Sequence, residues 1–256
     1  MTLVVAHRGA SARAPENTME AFRLGVEAGA DAIELDIHVS ADGQLAVIHD
    51  PTLDRTTDRT TTVADAPMAE IQAADAGWAF PGPNGDYPYR GRGLTVPALP
   101  EVVDWLPAGI GLAVEIKAPE AADGMVAALA GSGVRPAGLV TVMSFQEAAI
   151  QRVRELAPDL PTGLLLVPGD IFERGLTWAV EHGHAAVLPF DADLGYDPGP
   201  NIQLATAYGC RVGCYVVNEP ERMQQLAAAG AWGFVTDVPE LARAALGPPP
   251  GVGRLA

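Results

Sequence analysis

The stretch LVVAHRGASARAPENTMEAFRLGVEAGADAIELDI, residues 3–37, decides the fold. It opens on a short apolar run, 3–7, and passes through a polar turn into 18–28, where apolar residues recur at helical spacing. A second apolar run follows at 32–37. Strand, helix and strand in that order make a parallel βαβ unit. Both strands end in residues that are costly to bury, His7 and Arg8 on the first and Glu34 and Asp36 on the second. A charged partner is therefore expected where the strands end.

The same alternation runs outward along the chain. Further strands are expected at 111–116, 139–143, 163–166, 185–188, 211–217 and 233–236, and further helices at 99–106, 121–130, 146–157, 171–182, 202–208, 219–229 and 239–246. Eight strand–helix units fit a closed parallel barrel better than an open sheet. The expected fold is thus α/β, a (β/α)8 TIM barrel filling residues 1–246 as one domain. Asn17, Asn218 and Asp237 read as helix N-caps, and Gly29, Gly183, Gly209 and Gly230 as helix stops. One segment breaks the rhythm. After the second strand comes a small insertion, with an extended piece at 44–48 and then a polar Thr-, Pro- and Gly-rich segment, 51–97. A long connection in that place is expected beside the mouth of the barrel. Residues 247–256, rich in Pro and Gly, read as a flexible tail.

Composition narrows the function. With 256 residues and 48% apolar content the chain can bury a large core without disulfides. Cys210 and Cys214 share one face of an expected strand and read as core thiols. No secretory leader is read at 2–6, and no apolar run nears the ~20 residues needed to span a bilayer, so the expected setting is the cytoplasm without stable membrane association. A net charge of −16 excludes a nucleic-acid partner, which would need a basic face. The expected oligomeric state is monomer or homodimer. Arg supplies fifteen of the sixteen basic residues, and Lys117 is the only lysine. A compact ammonium retained beside Glu115 points to a site role.

In a parallel barrel, sites form at the C-terminal ends of the strands. His7, Glu34, Asp36, Glu115, Lys117, Ser144, Asn218 and Asp237 all fall there. Glu34 and Asp36 share a strand face, about 7 Å apart. With Glu115 on the neighbouring strand they form an oxygen set suited to a divalent cation, Mg²⁺ or Ca²⁺ rather than Zn²⁺. His7 and His49 suit proton transfer near neutral pH, and Arg8 and Lys117 suit contact with a phosphate. That inventory matches phosphodiester cleavage, which needs a base, an acid and positive charge on the non-bridging oxygens. His38, His182 and His184 are read as structural.

The runs VVAHRGASARAPENTMEAF (4–22) and ADAIELDIHVSADGQLAVIHDPTLDRTTD (30–58) resemble the glycerophosphodiester phosphodiesterase family. The resemblance continues through VPALPEVVDWL, VEIK, MSFQ, VVNEP and GFVTDVPE. It implies a barrel enzyme that hydrolyses a small glycerophosphodiester to glycerol 3-phosphate and an alcohol with a divalent cation. His7 and His49 would be the acid–base pair, Glu34, Asp36 and Glu115 the metal ligands, and Arg8 and Lys117 the phosphate contacts. Ser144 and Phe145 match positions lining the pocket. Tyr215, where Trp is common in the family, would form its apolar wall. The expected order is His7 as base and His49 as acid. Competing readings are a phosphodiesterase of the same barrel acting on lysophospholipids or phosphoinositides, a phosphate-binding barrel without catalysis, and a metal-dependent lyase or isomerase.

Overall fold

The computed structural model describes residues 2–134 and 138–248; apart from Gly247 and Pro248, the tail expected at 247–256 lies outside the described residues. The strands are β1 (Leu3–Ala6), β2 (Ala32–Val39), β3 (Leu45–Val47), β4 (Gly111–Ile116), β5 (Val140–Ser144), β6 (Thr162–Leu165), β7 (Ala186–Leu188), β8 (Arg211–Cys214) and β9 (Gly233–Thr236). The helices are α1 (Met19–Glu27), α2 (Met68–Gln72), α3 (Leu99–Trp105), α4 (Ala121–Ala130), α5 (Glu147–Leu156), α6 (Phe172–Glu181), α7 (Gly199–Ala207), α8 (Pro220–Ala229) and α9 (Pro239–Leu246). Eight strands run parallel in the order β1, β9, β8, β7, β6, β5, β4, β2, and β1 pairs with β2 to close the barrel.

Two apolar layers follow from strand alternation. Leu3, Val5, Ala32, Ala113, Met143, Leu165, Ala186, Leu188 and Val235 fill the barrel interior. The residues between them face the helices: Ile33, Leu35, Ile37, Leu112, Val114 and Ile116 lie under one half of the helical ring, and Val187, Val212 and Phe234 under the other. Small residues make room inside. A Cβ on Gly163 would come within 2.6 Å of Leu188 Cδ1. The glycine stops behave as their spacing predicts, with φ of 83, 70, 72 and 87° at Gly29, Gly183, Gly209 and Gly230.

The structure differs from expectation in several places, α7 among them, which starts at Gly199 and not at 202. β2 runs on to Val39 because β3 pairs antiparallel with its last three residues, around a tight turn in which Gly43 N–H donates to Ser40 O. β8 stops at Cys214, three residues early, because Tyr215 leaves the ladder to bridge Phe190. The segment expected to be merely polar has a core of its own, with Leu53, Val63, Met68, Ile71 and Val96 buried against Ala46 and Ile48. Cys210 and Cys214 are buried free thiols. No described helix is long and apolar enough to cross a membrane.

Barrel closure is tied at its base by a buried ion pair. Asp31 Oδ2 accepts from Val4 N–H at 2.8 Å and from the Arg243 guanidinium of α9, so one carboxylate joins β1, the start of β2 and the last helix. Arg243 also donates to Gly29 O. Replacing Asp31 by Ala leaves that guanidinium without its charge partner and a strand N–H unsatisfied. We expect Asp31→Ala to lower stability by about 3 kcal/mol in urea unfolding; a loss below about 1 kcal/mol would show that the tie is dispensable.

Candidate active site

On one side of the barrel the inward columns start apolar and end polar, two residues further along the chain. Val5 is followed by His7, Ala32 by Glu34 and Asp36, Ala113 by Glu115 and Lys117, and Val235 by Asp237. On the far side Met143 leads to Phe145 and Gly213 to Tyr215. A cavity of about 240 Å³ opens above these ends, lined on one side by His7, Arg8, Glu34, His49 and Glu115 and on the other by Phe145, Pro168, Phe190 and Tyr215. The aromatic side is fixed by edge-to-face packing of Tyr215 on Phe145 at 5.7 Å and by the Tyr215 hydroxyl, which donates to Leu166 O.

Three carboxylates gather at the polar side. Glu34, Asp36 and Glu115 are all buried, and each offers an oxygen within 4.8 Å of the others. The β2–β4 register places Asp36 beside Glu115. Two cations answer them. Lys117 Nζ lies 2.8 Å from Asp36 Oδ1 and 2.6 Å from Glu115 Oε1. Arg8 Nε lies 3.1 Å from Asp36 Oδ2, and the Arg8 backbone N–H donates to Glu34 Oε2 at 2.9 Å. Burial raises the Asp36 carboxyl, but Lys117 and Arg8 outweigh it and hold the group well below its ordinary range. Glu34 and Glu115 go the other way. Burial and the Asp36 charge raise both, Glu115 to about 7.

The β1–α1 loop is shaped to serve this cluster. Arg8 and Gly9 take left-handed φ of 54 and 86°, and a Cβ on Gly9 would lie 2.4 Å from the Ala21 carbonyl carbon, so α1 packs directly on the turn. Asn17, also left-handed at φ 56°, is not the N-cap expected from its type. Its amide donates to Asp36 Oδ2 at 2.8 Å, and the cap is Thr18, whose Oγ1 accepts from Ala21 N–H. Glu16 accepts from Arg8 Nη1 at 2.8 Å.

Both histidines are oriented by acids. His7 Nδ1 lies 2.6 Å from Asp237 Oδ1, and His49 Nδ1 lies 2.6 Å from Asp50 Oδ1. A carboxylate only accepts, so the proton sits on Nδ1 and leaves each Nε2 free to exchange protons. Asp237 and Asp50 are both held down at about 2: burial raises each, but hydrogen bonds from His7 in one case and from Arg55 and His49 in the other outweigh it. Burial, with the Lys117 and Arg8 charges, lowers the His49 proton affinity. His38, read as structural, pairs its Nε2 with His49 O at 3.0 Å.

Several expectations need correction. Asp237 and Asn218 are not N-caps; α9 and α8 are capped by Val238 and Glu219. Asn218 instead donates to Asp237 Oδ2 at 2.7 Å, which fixes the acid that orients His7. Ser144 does not line the pocket. It shares the parity of Val140 and Val142, faces the helical layer, donates to Ile116 O at 2.6 Å and accepts from Gln146 N–H at 3.0 Å. Residues given no role from sequence, Glu16, Asp50 and Arg55, are brought in by the fold. The clue was present in the text of the chain, since Asp50 follows His49 and Glu16 precedes Asn17.

The donor set fits a hard divalent cation. All three groups supply oxygen, three acids face two bases, and Asp36 Oδ1 has no aligned hydrogen-bond donor although Lys117 Nζ is close. With the cation in place, two proton-transfer groups and positive charge would border one cavity, the equipment for cleaving an anionic ester.

Comparison with known proteins gives a consistent result. Residues 7–241 match the model of the Glycerophosphoryl diester phosphodiesterase family. A glycerophosphodiester phosphodiesterase of Bacillus subtilis is 34% identical, over 93% of this chain and 84% of that protein. The crystal structure of a glycerophosphodiester phosphodiesterase from Agrobacterium tumefaciens superposes with a TM-score of 0.79 at 30% identity, over 95% of this chain and all of the other (100%). An Oleispira antarctica phosphodiesterase, solved in complex with the product sn-glycerol-3-phosphate, superposes with a TM-score of 0.82 at 25% identity, over 96% and 97% of the two chains.

The raised carboxyls have a measurable consequence. A Glu115 that titrates near 7 when folded and near its ordinary value when unfolded gives stability that is complete below ~4.5 and is lost as pH rises through about 7. A bound cation displaces those protons and removes the loss. With Ca²⁺ as the probe ion, the rise in melting temperature is expected to grow as pH passes through about 7 and to shrink in Glu115→Gln. A cation effect independent of pH, or none, would count against the triad as the binding site.

Proposed function

The chain belongs to the glycerophosphoryl diester phosphodiesterase family, and from that premise we propose that it hydrolyses water-soluble glycerophosphodiesters to sn-glycerol 3-phosphate and an alcohol by proton transfer between His7 and His49. One observation carries this reading: two Asp-oriented histidines face a single cavity that also exposes Arg8, Glu34 and Glu115. Residues 1–246 act as one catalytic domain, with 51–97 as a wall beside the mouth. Glu34, Asp36 and Glu115 are the residues that would hold Mg²⁺ or Ca²⁺. Bound there, the cation would neutralise charge on the phosphate oxygens.

The protein groups supply the rest. Arg8, which lines the cavity, meets the phosphate, and Lys117 adds positive charge from its place between Asp36 and Glu115. We assign His49 as the base and His7 as the acid, the reverse of the order read from sequence. The support is that His49, its proton affinity lowered, rests neutral with a bare Nε2. That nitrogen takes the proton of the attacking hydroxyl, either water or the free hydroxyl of the glycerol. His7 gives a proton from Nε2 to the departing alkoxide while Asp237 holds its Nδ1. Attack by water gives glycerol 3-phosphate directly; attack by the glycerol hydroxyl gives a cyclic phosphodiester, one P–O bond of which water breaks in a second step to give the monoester. Phe145, Phe190 and Tyr215 shield the carbon skeleton. The acidic surface suits a small water-soluble diester better than an anionic bilayer.

On glycerophosphocholine, His7→Ala and His49→Ala are each expected to cut kcat by about 10³. On a diester whose leaving group is p-nitrophenolate, which departs without a proton, His7→Ala should regain most of its loss and His49→Ala should not. Products identified by phosphorus NMR check the reaction; activity above about a tenth of wild type in either variant on the choline diester would sink the assignment.

A further inference from the structure

Arg55 belongs to neither proton-transfer group nor cation cluster, yet it closes a chain of charges that runs between them. Its Nη1 and Nη2 donate to Glu16 Oε2 and Oε1 at 2.8 and 2.7 Å, a two-pronged contact, and its Nε donates to Asp50 Oδ2. Glu16 Oε1 also accepts from Arg8 Nη1, and Asp50 Oδ1 meets His49 Nδ1. Five side chains thus link in series: Arg8, Glu16, Arg55, Asp50, His49. The two ends line the cavity. The middle lies outside it.

The covalent route between these ends is long. Arg8 and Glu16 sit on the β1–α1 loop, whereas His49, Asp50 and Arg55 follow β3, on a segment whose hydrophobic cluster is separate from the barrel core. An exposed ion pair contributes little to stability. A planar fork that fixes two carboxylates at once is different, because it sets direction as well as charge. Asp50 holds His49 by a single oxygen, and its other oxygen is held by Arg55. Without Arg55 the carboxylate is free to turn, and the imidazole loses the contact that decides which nitrogen carries the proton.

We propose that Arg55 is a positioning residue: its fork on Glu16 and its Nε on Asp50 brace the segment after β3 against the β1–α1 loop and hold His49 Nε2 toward the cavity. This rests on His49 acting in the reaction. The segment is then a working part of the site as well as its cover.

Arg55→Met is expected to lower kcat on glycerophosphocholine ~10–100-fold with KM within about threefold of wild type, as for loss of a group that orients a reacting residue. In an Asp50→Asn background the same change should cost nothing further, because both act through one hydrogen bond. Arg55→Lys, which keeps the charge but not the fork, should recover little. Nitrogen-15 NMR of the His49 ring supplies a readout without turnover: wild type is expected to show the Nδ1–H form, and Arg55→Met a mixture of both tautomers. If the ring stays in one tautomer, if the losses in the two backgrounds add, or if the loss falls on KM alone, the proposal is overturned. If the ring responds while wild type shows no turnover, positioning stands and the hydrolytic reading falls.

Discussion

Three carboxylates buried within 4.8 Å of one another set the terms for everything around them. Like charges in a dry site repel strongly, and a protein can relieve them by protonation, by basic partners or by a metal ion. The first two appear here, and the third is provided for. Glu34 and Glu115 are raised toward the neutral form, Lys117 and Arg8 face Asp36, and the oxygens are arranged for a hard cation. The left-handed turn at Arg8 and Gly9 follows from the same need, since it lets one residue, Arg8, bring its backbone N–H to Glu34 and its guanidinium to Asp36.

The two histidines stand in matched settings reached by different routes. His7 ends a barrel strand and takes its acid from the strand next to it, locked by Asn218. His49 lies beyond the barrel, takes its acid from the next residue, and is steadied by His38 and Arg55. The first is fixed by the sheet and the second by side chains. Partial burial and the charges of Lys117 and Arg8 lower the proton affinity of His49.

Much of this was legible in the chain. Apolar runs at regular spacing located all eight barrel strands, and period-two counting put Glu34, Asp36 and Glu115 on the inner face. The same counting, carried past Met143, would have turned Ser144 outward; family likeness at MSFQ hid that. Asn17, Asn218 and Asp237 were misread because an amide or carboxylate before a helix looks the same whether it caps backbone N–H groups or reaches sideways to another loop. Only the closed barrel decides, by bringing Asp36 and His7 within reach. Arg55 was unreadable for a related reason: its partners lie 39 and 5 residues away, on chain segments with no shared periodicity. The apolar residues of the segment after β3 were diluted by Thr, Pro and Gly and have no regular period to reveal a core.

The barrel closes between its first strand and its last, and the two halves of one functional unit lie across that seam. The three clustered acids come from β2 and β4, but the acid that orients His7 is 230 residues further along the chain than His7 itself. During synthesis, therefore, a growing chain carries the histidine through 230 further residues before its partner is added. The order of manufacture leaves His7 without its orienting carboxylate until the last barrel strand has emerged.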